Sequence, residues 1–333
     1  MKMSEIAELA GVSIATVSRT FHSPNLVRAE IRNRILEIAE QHKYLYHATA
    51  GDLSRQKSNV IGVLIPSAKA SVFGKTLLAI QEKTQENYSI IFGNTLYEKD
   101  LERKLLQRFR ERRVAGVILT GFIIGHEKLI YSLLDDNIAC VITWEILDSK
   151  EISYVGYDNV KAAYSATHYL ISLGHERIGL IVGPYQKVGR VRKRHTGYKK
   201  ALADSGIPFD PSLVVSSEPA LFEGKRTMHQ LLSLPDPPTA VFAASDQLAI
   251  GALSAIKERG LGVPKDVSLV GFDDIDVAAY CDPPLTTVRV PAHEMGELAV
   301  KVLLESIEEG RSEVKQYLLD TDLIIRGSCA ERR

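Results

Sequence analysis

The chain begins with two short stretches in which apolar residues recur at helical spacing, separated by a glycine. The first carries its apolar side chains on one face: Ile6, Ala7, Leu9 and Ala10. Ser4 is a suitable N-cap for this helix, and Gly11 is expected to end it, because only glycine adopts positive φ without steric cost. Ser13 is the expected N-cap of a second helix, which runs to Phe21. Two short helices joined by such a turn are typical of a helix-turn-helix, whose second helix enters the major groove of DNA.

The second helix carries side chains suited to DNA. Hydroxyls can contact phosphates, an arginine can donate two hydrogen bonds to a guanine edge, and small apolar groups can contact a thymine methyl. We therefore expect DNA contacts from Ser13, Ile14, Ala15, Thr16, Ser18, Arg19 and His22. On spacing alone, a plain helical hairpin fits the same pattern.

A third helix is predicted from residue 28 to 43, and its apolar face would close a small core: Ile31, Ile35, Ile38 and Ala39. Beyond it, short apolar runs alternate with helical stretches, which predicts parallel strands covered by helices. The predicted strands are 60–65, 89–92, 116–120, 139–143, 153–155, 177–182, 213–216, 240–243, 267–272, 287–290, 317–319 and 323–325. The predicted helices are 73–86, 98–112, 126–135, 160–173, 190–205, 222–232, 247–259 and 291–309. Because the alternation restarts after residue 160, we expect an α/β protein with a three-helix head and two lobes of doubly wound parallel sheet.

Composition agrees with a globular protein of two or three domains: 333 residues, 45% apolar and 25% charged. The formal net charge is zero. Residues 1–59 carry eight Lys/Arg against six Asp/Glu, which is a small surplus for a DNA-binding module. Pairing two heads in a dimer would double the phosphate contacts.

The cysteines, the N-terminus and the apolar runs bear on cellular location. Cys140, Cys281 and Cys329 have the spacing of neither a zinc site nor a disulfide framework. The N-terminus lacks the apolar core of a signal peptide, and no run approaches the length of a membrane span. We expect a cytoplasmic protein with no cofactor, no metal site and no membrane association.

An enzyme is an alternative for the core, since doubly wound folds host many activities. The chain has no G-x-G-x-x-G, G-x-x-x-x-G-K-[ST] or G-x-S-x-G motif, and His293-Glu294 lacks the second histidine of H-E-x-x-H. We therefore expect no enzymatic activity. A sugar-processing enzyme, such as a sugar kinase, and an exported solute-binding protein are the alternatives.

Several motifs resemble the lactose-repressor/galactose-repressor (LacI/GalR) family of bacterial transcription regulators. At the N-terminus they are Ala7, Ala10-Gly11-Val12-Ser13 and Ala15-Thr16-Val17-Ser18-Arg19. Further along they include Leu173-Gly174-His175, Gly197-Tyr198, Ser245-Asp246, Val270-Gly271-Phe272-Asp273 and Pro284-Leu285-Thr286-Thr287. The resemblance covers nearly the whole chain and implies a two-lobed core like that of periplasmic sugar-binding proteins.

The resemblance also implies the domain limits: a helix-turn-helix domain (1–46), a hinge (47–59), an N-terminal lobe (60–159 with 291–319) and a C-terminal lobe (160–290 with 320–333). Tyr44 is expected to contact DNA. In the family, a short hinge helix inserts a leucine into the minor groove, and Leu53 matches that leucine. The hinge departs from the family pattern at Tyr46, His47, Gly51 and Asp52. A solvated linker is therefore the alternative for this stretch.

Ligands of open α/β sheets bind at the carboxyl ends of the strands, which here would lie between the lobes. The resemblance implies an effector site made of Phe73, Trp144, Arg194, Ser245 and Asp273. Arg194 matches the family's principal ligand-binding arginine, and Asp273 matches its acidic counterpart. Trp144 stands where many relatives have aspartate, and it would either stack on a sugar face or fill the core.

Two further features bear on the ligand. Pro219 stands where relatives often have an aromatic residue that covers the ligand, and Phe222 is the candidate replacement. The basic run 190–195 is either a solvated helix face or a helix N-terminus that attracts an anion. We expect a regulator, in particular a repressor, that is a homodimer and binds operator DNA and a sugar, sugar acid (gluconate, for example) or sugar phosphate. A DNA-binding regulator without a small-molecule response is the alternative.

Overall fold

The computed structural model describes residues 1–22, 24–44, 58–68, 71–121, 123–309 and 313–332, without the side chains of His22 and Ser71. The chain forms two compact units, residues 1–58 and residues 59–333. Across the described ranges, no helix is both long and apolar enough to cross a bilayer. The predicted hinge falls mostly on residues 45–57, so its helix and Leu53 lie outside the described residues.

The first unit is a three-helix head with its own apolar core. Its elements are α1 (Met3–Ala10), α2 (Ile14–His22), a 3-10 turn (Pro24–Leu26) and α3 (Ala29–Gln41). The buried side chains of this core are Ile6, Ala7, Ala10, Val17, Ile35 and Ala39. All three helices contribute buried side chains to this core, as the helical spacing of apolar residues in the sequence predicts.

The head helices agree with the prediction at two points and differ at two. Gly11 ends α1 in the left-handed region with φ 63°. The Ser13 hydroxyl accepts a hydrogen bond from the Thr16 backbone N–H at 3.1 Å, as an N-cap does. The prediction of Ser4 as a cap was wrong, because α1 starts one residue earlier, at Met3. Leu9 was wrongly predicted to face the core and is exposed.

In the second unit, one parallel sheet and its helices come mainly from the first half of the chain. The segments are β1 (Val60–Ile65), α4 (Ser71–Thr84), β2 (Ser89–Asn94), α5 (Lys99–Glu111), β3 (Gly116–Thr120), α6 (Glu127–Asp135), β4 (Ala139–Thr143) and β5 (Ser153–Tyr157). Two late segments join them, α11 (Ala292–Glu309) and β11 (Gln316–Leu319). The strand order is β11-β5-β4-β3-β1-β2, and all neighbours are parallel. We call this the N-terminal lobe.

The second sheet comes from the middle of the chain. Its segments are α7 (Asn159–Ser172), β6 (Ile178–Val182), α8 (Gly189–Asp204), β7 (Val214–Ser216), α9 (Leu221–Leu232), β8 (Ala240–Ala243), α10 (Asp246–Glu258), β9 (Ser268–Asp273), β10 (Thr286–Arg289) and β12 (Asp322–Ile324). The order is β12-β10-β9-β8-β6-β7, with only the β10–β12 pair antiparallel among the described strands. We call this the C-terminal lobe. Short 3-10 turns lie at Pro211–Leu213 and Asp276–Tyr280.

The chain changes sheets between β5 and α7, between β10 and α11, and between β11 and β12. After the second change, α11 packs on α4, where the Thr76 hydroxyl donates to the Ala292 carbonyl at 2.8 Å. Central strands β3, β4, β6 and β8 are buried along their whole length, which explains their nearly unbroken apolar sequences. The carboxyl ends of β4, β6, β8 and β9 face the space between the two sheets, where the candidate site lies.

Candidate functional site

The helix α2 has one buried and one exposed face. Val17 is fully buried in the head core, whereas Ser13, Ile14, Ala15 and Arg19 are exposed. These exposed residues carry a guanidinium, a hydroxyl and apolar groups, which are the groups that contact base edges and phosphates in the major groove. This face of α2 is therefore open to a duplex.

The hydroxyl residues of α2 are partly used within the helix. The Ser13 and Thr16 hydroxyl oxygens lie 2.9 Å apart, and the Thr20 hydroxyl donates to the Thr16 carbonyl at 3.0 Å. Thr16 and Ser18 are half-buried. They can still present one edge to a phosphate, but they contribute less exposed surface than Arg19 does.

The remaining predicted DNA contacts have different positions. Tyr44 is half-buried, and its ring packs against Phe21 with the centroids 6.1 Å apart. His22 is the last residue of α2, and its side chain is outside the described structure. Leu53 also lies outside the described residues.

In the second unit, a cavity lies where the carboxyl ends of the two sheets face each other. All the predicted effector contacts line it: Phe73, Trp144, Arg194, Ser245 and Asp273. The volume of this cavity is about 40 Å³, which is smaller than the range of about 300–1,000 Å³ usual for small-molecule sites.

Arg194 is buried and held in one orientation by the protein. Its Nε donates to Asn159 Oδ1 at 3.0 Å, Nη1 to the Ala244 carbonyl at 2.8 Å, and Nη2 to the Tyr157 hydroxyl at 2.8 Å. Within the described structure these bonds use three of the five N–H donors of the guanidinium. Two donors remain for a ligand or for Asp273, whose Oδ1 lies 3.9 Å from Nη2.

Asp273 ends β9 with φ 116°, an uncommon conformation for a residue with a side chain. The next residue, Asp274, also has positive φ and is held by Arg289 and Arg326, each at 2.7 Å. Burial raises the pKa of Asp273 to about 6, while Arg194 and a hydrogen bond from Ser245 oppose that shift. The turn thus places a titratable acceptor in the cavity.

Asp246, which follows Ser245 in the chain, has a structural environment. It is fully buried, and its carboxyl accepts hydrogen bonds from the Thr287 hydroxyl at 2.5 Å and the Ile275 backbone N–H at 2.8 Å. Burial raises its pKa to about 8, and the charge of Asp273 adds to the shift. Asp246 joins the start of α10 to β10 and to the turn after β9.

The aromatic wall of the cavity comes from the N-terminal lobe. Phe73 and Trp144 meet edge to face with their centroids 4.9 Å apart. Trp144 is buried, and its indole Nε1 has no hydrogen-bond partner among the described residues. A buried donor without a partner is costly, and an acceptor on a ligand would satisfy it.

Two lining side chains with hydrogen-bonding groups were not among the predicted effector contacts, Arg190 and Tyr97. Arg190 belongs to the basic run at the start of α8 and is only 3% exposed, so the solvated-face interpretation was wrong for this residue. Its position four residues before Arg194 places both on one helix face, which was the available signal. Tyr97 follows β2 in a loop with φ 59°, and no sequence pattern marks it.

The structure does not place an aromatic side chain of the C-terminal lobe over the cavity at Pro219 or Phe222. Pro219 lines the cavity, but Phe222 is 69% exposed on α9 and is not among the lining residues. The expectation that Phe222 replaces the family's aromatic residue was wrong. The aromatic groups of this cavity are instead on the N-terminal lobe.

The lobes touch each other around the cavity. The Ile124 backbone N–H donates to the Lys187 carbonyl at 3.0 Å, beside an antiparallel bridge between Ile123 and Val188. Lys75 and Asp276 form an ion pair at 2.6 Å between α4 and the turn after β9. The structure therefore has its lobes in contact.

Comparisons with known proteins agree with both parts of the chain. The model of the bacterial regulatory proteins of the lacI family matches residues 2–46, and that of the periplasmic binding protein-like domain matches residues 167–329. The chain is 35% identical to the HTH-type transcriptional repressor CytR of Escherichia coli (strain K12) over 328 residues. The aligned region covers 98% of this chain and 95% of that protein. The chain belongs to the LacI family of bacterial regulatory proteins.

Solved structures extend the similarity of this LacI-family regulator to the whole fold. The lac repressor dimer bound to operator and the anti-inducer ONPF matches 99% of both chains with a TM-score of 0.86 and 26% identity. The transcriptional regulator CelR in complex with cellobiose matches 98% of this chain and 99% of its own with a TM-score of 0.73 and 27% identity. These matches confirm the predicted family and fold class. The relatives compared are DNA-binding transcription regulators, not enzymes.

Proposed function

We propose that this LacI-family regulator is a repressor that binds a near-palindromic operator as a homodimer, under the control of a small sugar-type effector bound between its lobes. It would act in the cytoplasm, where operator DNA is found. Support comes from the exposed face of α2 and from the lac repressor, which was solved as a dimer on its operator. The solved complex of CelR with cellobiose supports a sugar as the class of effector.

One observation carries the effector proposal: the five residues predicted from sequence line a single cavity between the sheets. Arg194 offers two N–H donors, Asp273 offers an acceptor, and Trp144 offers an unpaired N–H. Aromatic faces beside polar groups suit a sugar, which has an apolar face and a rim of hydroxyls. A sugar acid such as gluconate is the specific effector we propose.

Coupling to DNA would follow from lobe closure. A ligand that contacts both lobes favours the arrangement in which they touch, and the hinge containing Leu53 would pass that change to the head. A coupling free energy of about 1–3 kcal/mol changes operator affinity about 5- to 150-fold. An inducer would lower the affinity, and a corepressor would raise it.

The experiment uses the full-length protein. Its DNA site is first selected from a random library, and a thermal-shift screen then tests gluconate, glucose, ribose and glucose 6-phosphate. Each hit is added to an anisotropy titration of the selected DNA. A hit that changes operator affinity at least fivefold supports the proposal. Operator binding that no hit alters favours a regulator without a small-molecule response, and turnover of a hit favours an enzyme.

A second measurement tests the hinge. We expect Leu53→Ala to weaken binding to the selected DNA by a few kcal/mol, because the minor-groove wedge is lost. Binding to random-sequence DNA provides the control, since it does not require the wedge. Unchanged affinity for the selected DNA would support the alternative of a solvated linker.

A further inference from the structure

Arg190 is a buried cation without an ion-pair partner among the described residues. Arg190 is 3% exposed, its Nη1 donates to the Thr120 carbonyl at 3.3 Å, and its guanidinium also donates a hydrogen bond to the Tyr97 hydroxyl. Its guanidinium carbon lies 5.6 Å from the centroid of the Phe73 ring. In the described structure no carboxylate oxygen lies within 4.0 Å of its nitrogens. A buried charge in this state is unfavourable unless a ligand compensates it.

Three buried acidic side chains interact with the charge of Arg190, which opposes the rise in their pKa values, but each of them has a closer partner. These pairs are Glu102 with His126 at 2.7 Å, Glu145 with Lys193 at 3.5 Å, and Asp273 with Arg194 at 3.9 Å. Arg194 is itself committed to three protein acceptors. Of the two buried arginines on this face of α8, Arg190 is therefore the one with most of its donors available.

Arg190 lies in the wall that two neighbouring cavities share. Arg190 and Tyr97 line both the main cavity, of about 40 Å³, and an adjoining compartment of about 10 Å³. Thr120 also lines this compartment, and its buried hydroxyl has no hydrogen-bond partner in the described ranges. A guanidinium beside an unpaired hydroxyl donor is suited to an oxyanion.

We propose that Arg190 binds the acidic group, a carboxylate or a phosphate, of an anionic effector, with the Thr120 hydroxyl as a second donor. The inference rests on the proposed function, because it takes the cavity to be the effector site. It assigns different tasks to the two arginines: Arg194 positions the body of the ligand, and Arg190 selects for its charge. A neutral analogue would leave Arg190 buried and unpaired, and it would therefore bind more weakly.

The test measures binding to the full-length protein by calorimetry with acid and neutral partners: gluconate against glucitol, glucuronate against glucose, and glucose 6-phosphate against glucose. Inorganic phosphate is a further probe. The variant is Arg190→Gln. Its control is Arg192→Gln, which removes the same charge from an exposed position of the same helix.

We expect an acid to bind the wild type and Arg192→Gln about 10- to 100-fold more tightly than its neutral partner does. Arg190→Gln should remove that preference. It should also fold, because the glutamine amide keeps a hydrogen-bond donor at this position. If it does not fold, Arg190→Lys decides, since it keeps the charge and should keep a weaker preference for the acid.

The outcomes separate this inference from the proposed function. If a neutral partner binds the wild type as tightly as its acid, or if Arg190→Gln binds the acid as tightly as Arg192→Gln does, the role of Arg190 is overturned while a sugar effector stands. Inorganic phosphate that binds through Arg190 when no sugar compound binds supports the anion site and overturns the sugar proposal. If none of these probes binds, both are overturned.

Discussion

The guanidinium carbon of Arg194 lies 3.8 Å from the centroid of the Phe272 ring, at the boundary between the cavity and the core of the C-terminal lobe. Phe272 is fully buried in β9, next to Asp273. The arginine that faces the cavity is therefore also a core residue. Its loss affects both ligand binding and the stability of the lobe.

Arg194→Ala is expected to abolish the response to the effector while operator binding is retained below the melting temperature. The free energy of unfolding of the core should fall by about 2–5 kcal/mol, because buried acceptors lose their donor. Thermal melting and anisotropy titrations with and without effector measure the two effects. Arg192→Ala, at an exposed position of α8, should change neither. An Arg194→Ala protein that responds normally would show that the effector binds elsewhere.

Arg19→Ala is expected to reduce sequence preference, since an arginine on a guanine edge contributes about 1–3 kcal/mol of discrimination. Binding to random-sequence DNA should persist at low salt, because phosphate contacts remain. Affinities for selected and random DNA are measured across a salt series. Arg34→Ala, which removes an exposed charge from α3, is the control. An equal loss of affinity on both DNAs would argue against base contact by Arg19.

Asp246→Asn is expected to change how stability depends on pH. Burial raises the pKa of Asp246 in the folded state to about 8, from an ordinary value of about 3.8, so the folded protein keeps a proton that the unfolded chain releases. The stability of the wild type relative to Asp246→Asn should therefore fall as pH rises from about 4 to about 8, by up to about 1.4 kcal/mol per pH unit. Thermal melts across this range measure the difference.

Asp210→Asn provides a control of opposite sign. A hydrogen bond from Ser212 holds the pKa of Asp210 below its ordinary value. The wild type should therefore gain stability relative to Asp210→Asn as pH rises through the acid range, and lose that gain as pH falls through the lowered pKa. Melting curves of wild type and Asp246→Asn that stay parallel with pH would contradict the assignment for Asp246.

Trp144 is the only tryptophan of the chain, and its fluorescence therefore reports on the cavity alone. We expect effector binding to change its emission and Trp144→Phe to weaken binding about 5-fold or more, because the ligand loses a hydrogen-bond donor and part of an aromatic surface. Calorimetry with the phenylalanine variant measures the loss. Unchanged affinity together with a lower melting temperature would favour the alternative in which Trp144 only fills the core.

Most strands of the two sheets could be predicted from the sequence, because buried parallel strands have nearly continuous apolar runs. β1, β3, β4 and β8 have the predicted limits, and the helices differ by one or two residues at their ends. The positions of Phe73, Trp144, Arg194, Ser245 and Asp273 around one cavity follow from the rule that parallel strands end at the same edge of a sheet. The family resemblance supplied the choice of these side chains.

The residues that the sequence did not predict depend on contacts between distant segments. Arg190 looks like a surface charge until β3 and Phe73 of the other lobe enclose it. Phe222 was predicted near the ligand from chain proximity, yet α9 directs it to solvent. Burial of a charge and exposure of an aromatic ring both run against residue-type preference, so composition and periodicity alone favour the wrong environment.

The head core consists only of head residues, from Ile6 to Ala39. Evolution could therefore exchange this module between sensors without redesigning its interior. A chimera that joins residues 1–58 to the sensor of another regulator should recognise the DNA of this chain while responding to the foreign signal. Which genes are controlled and which metabolite controls them could then diverge separately within one lineage.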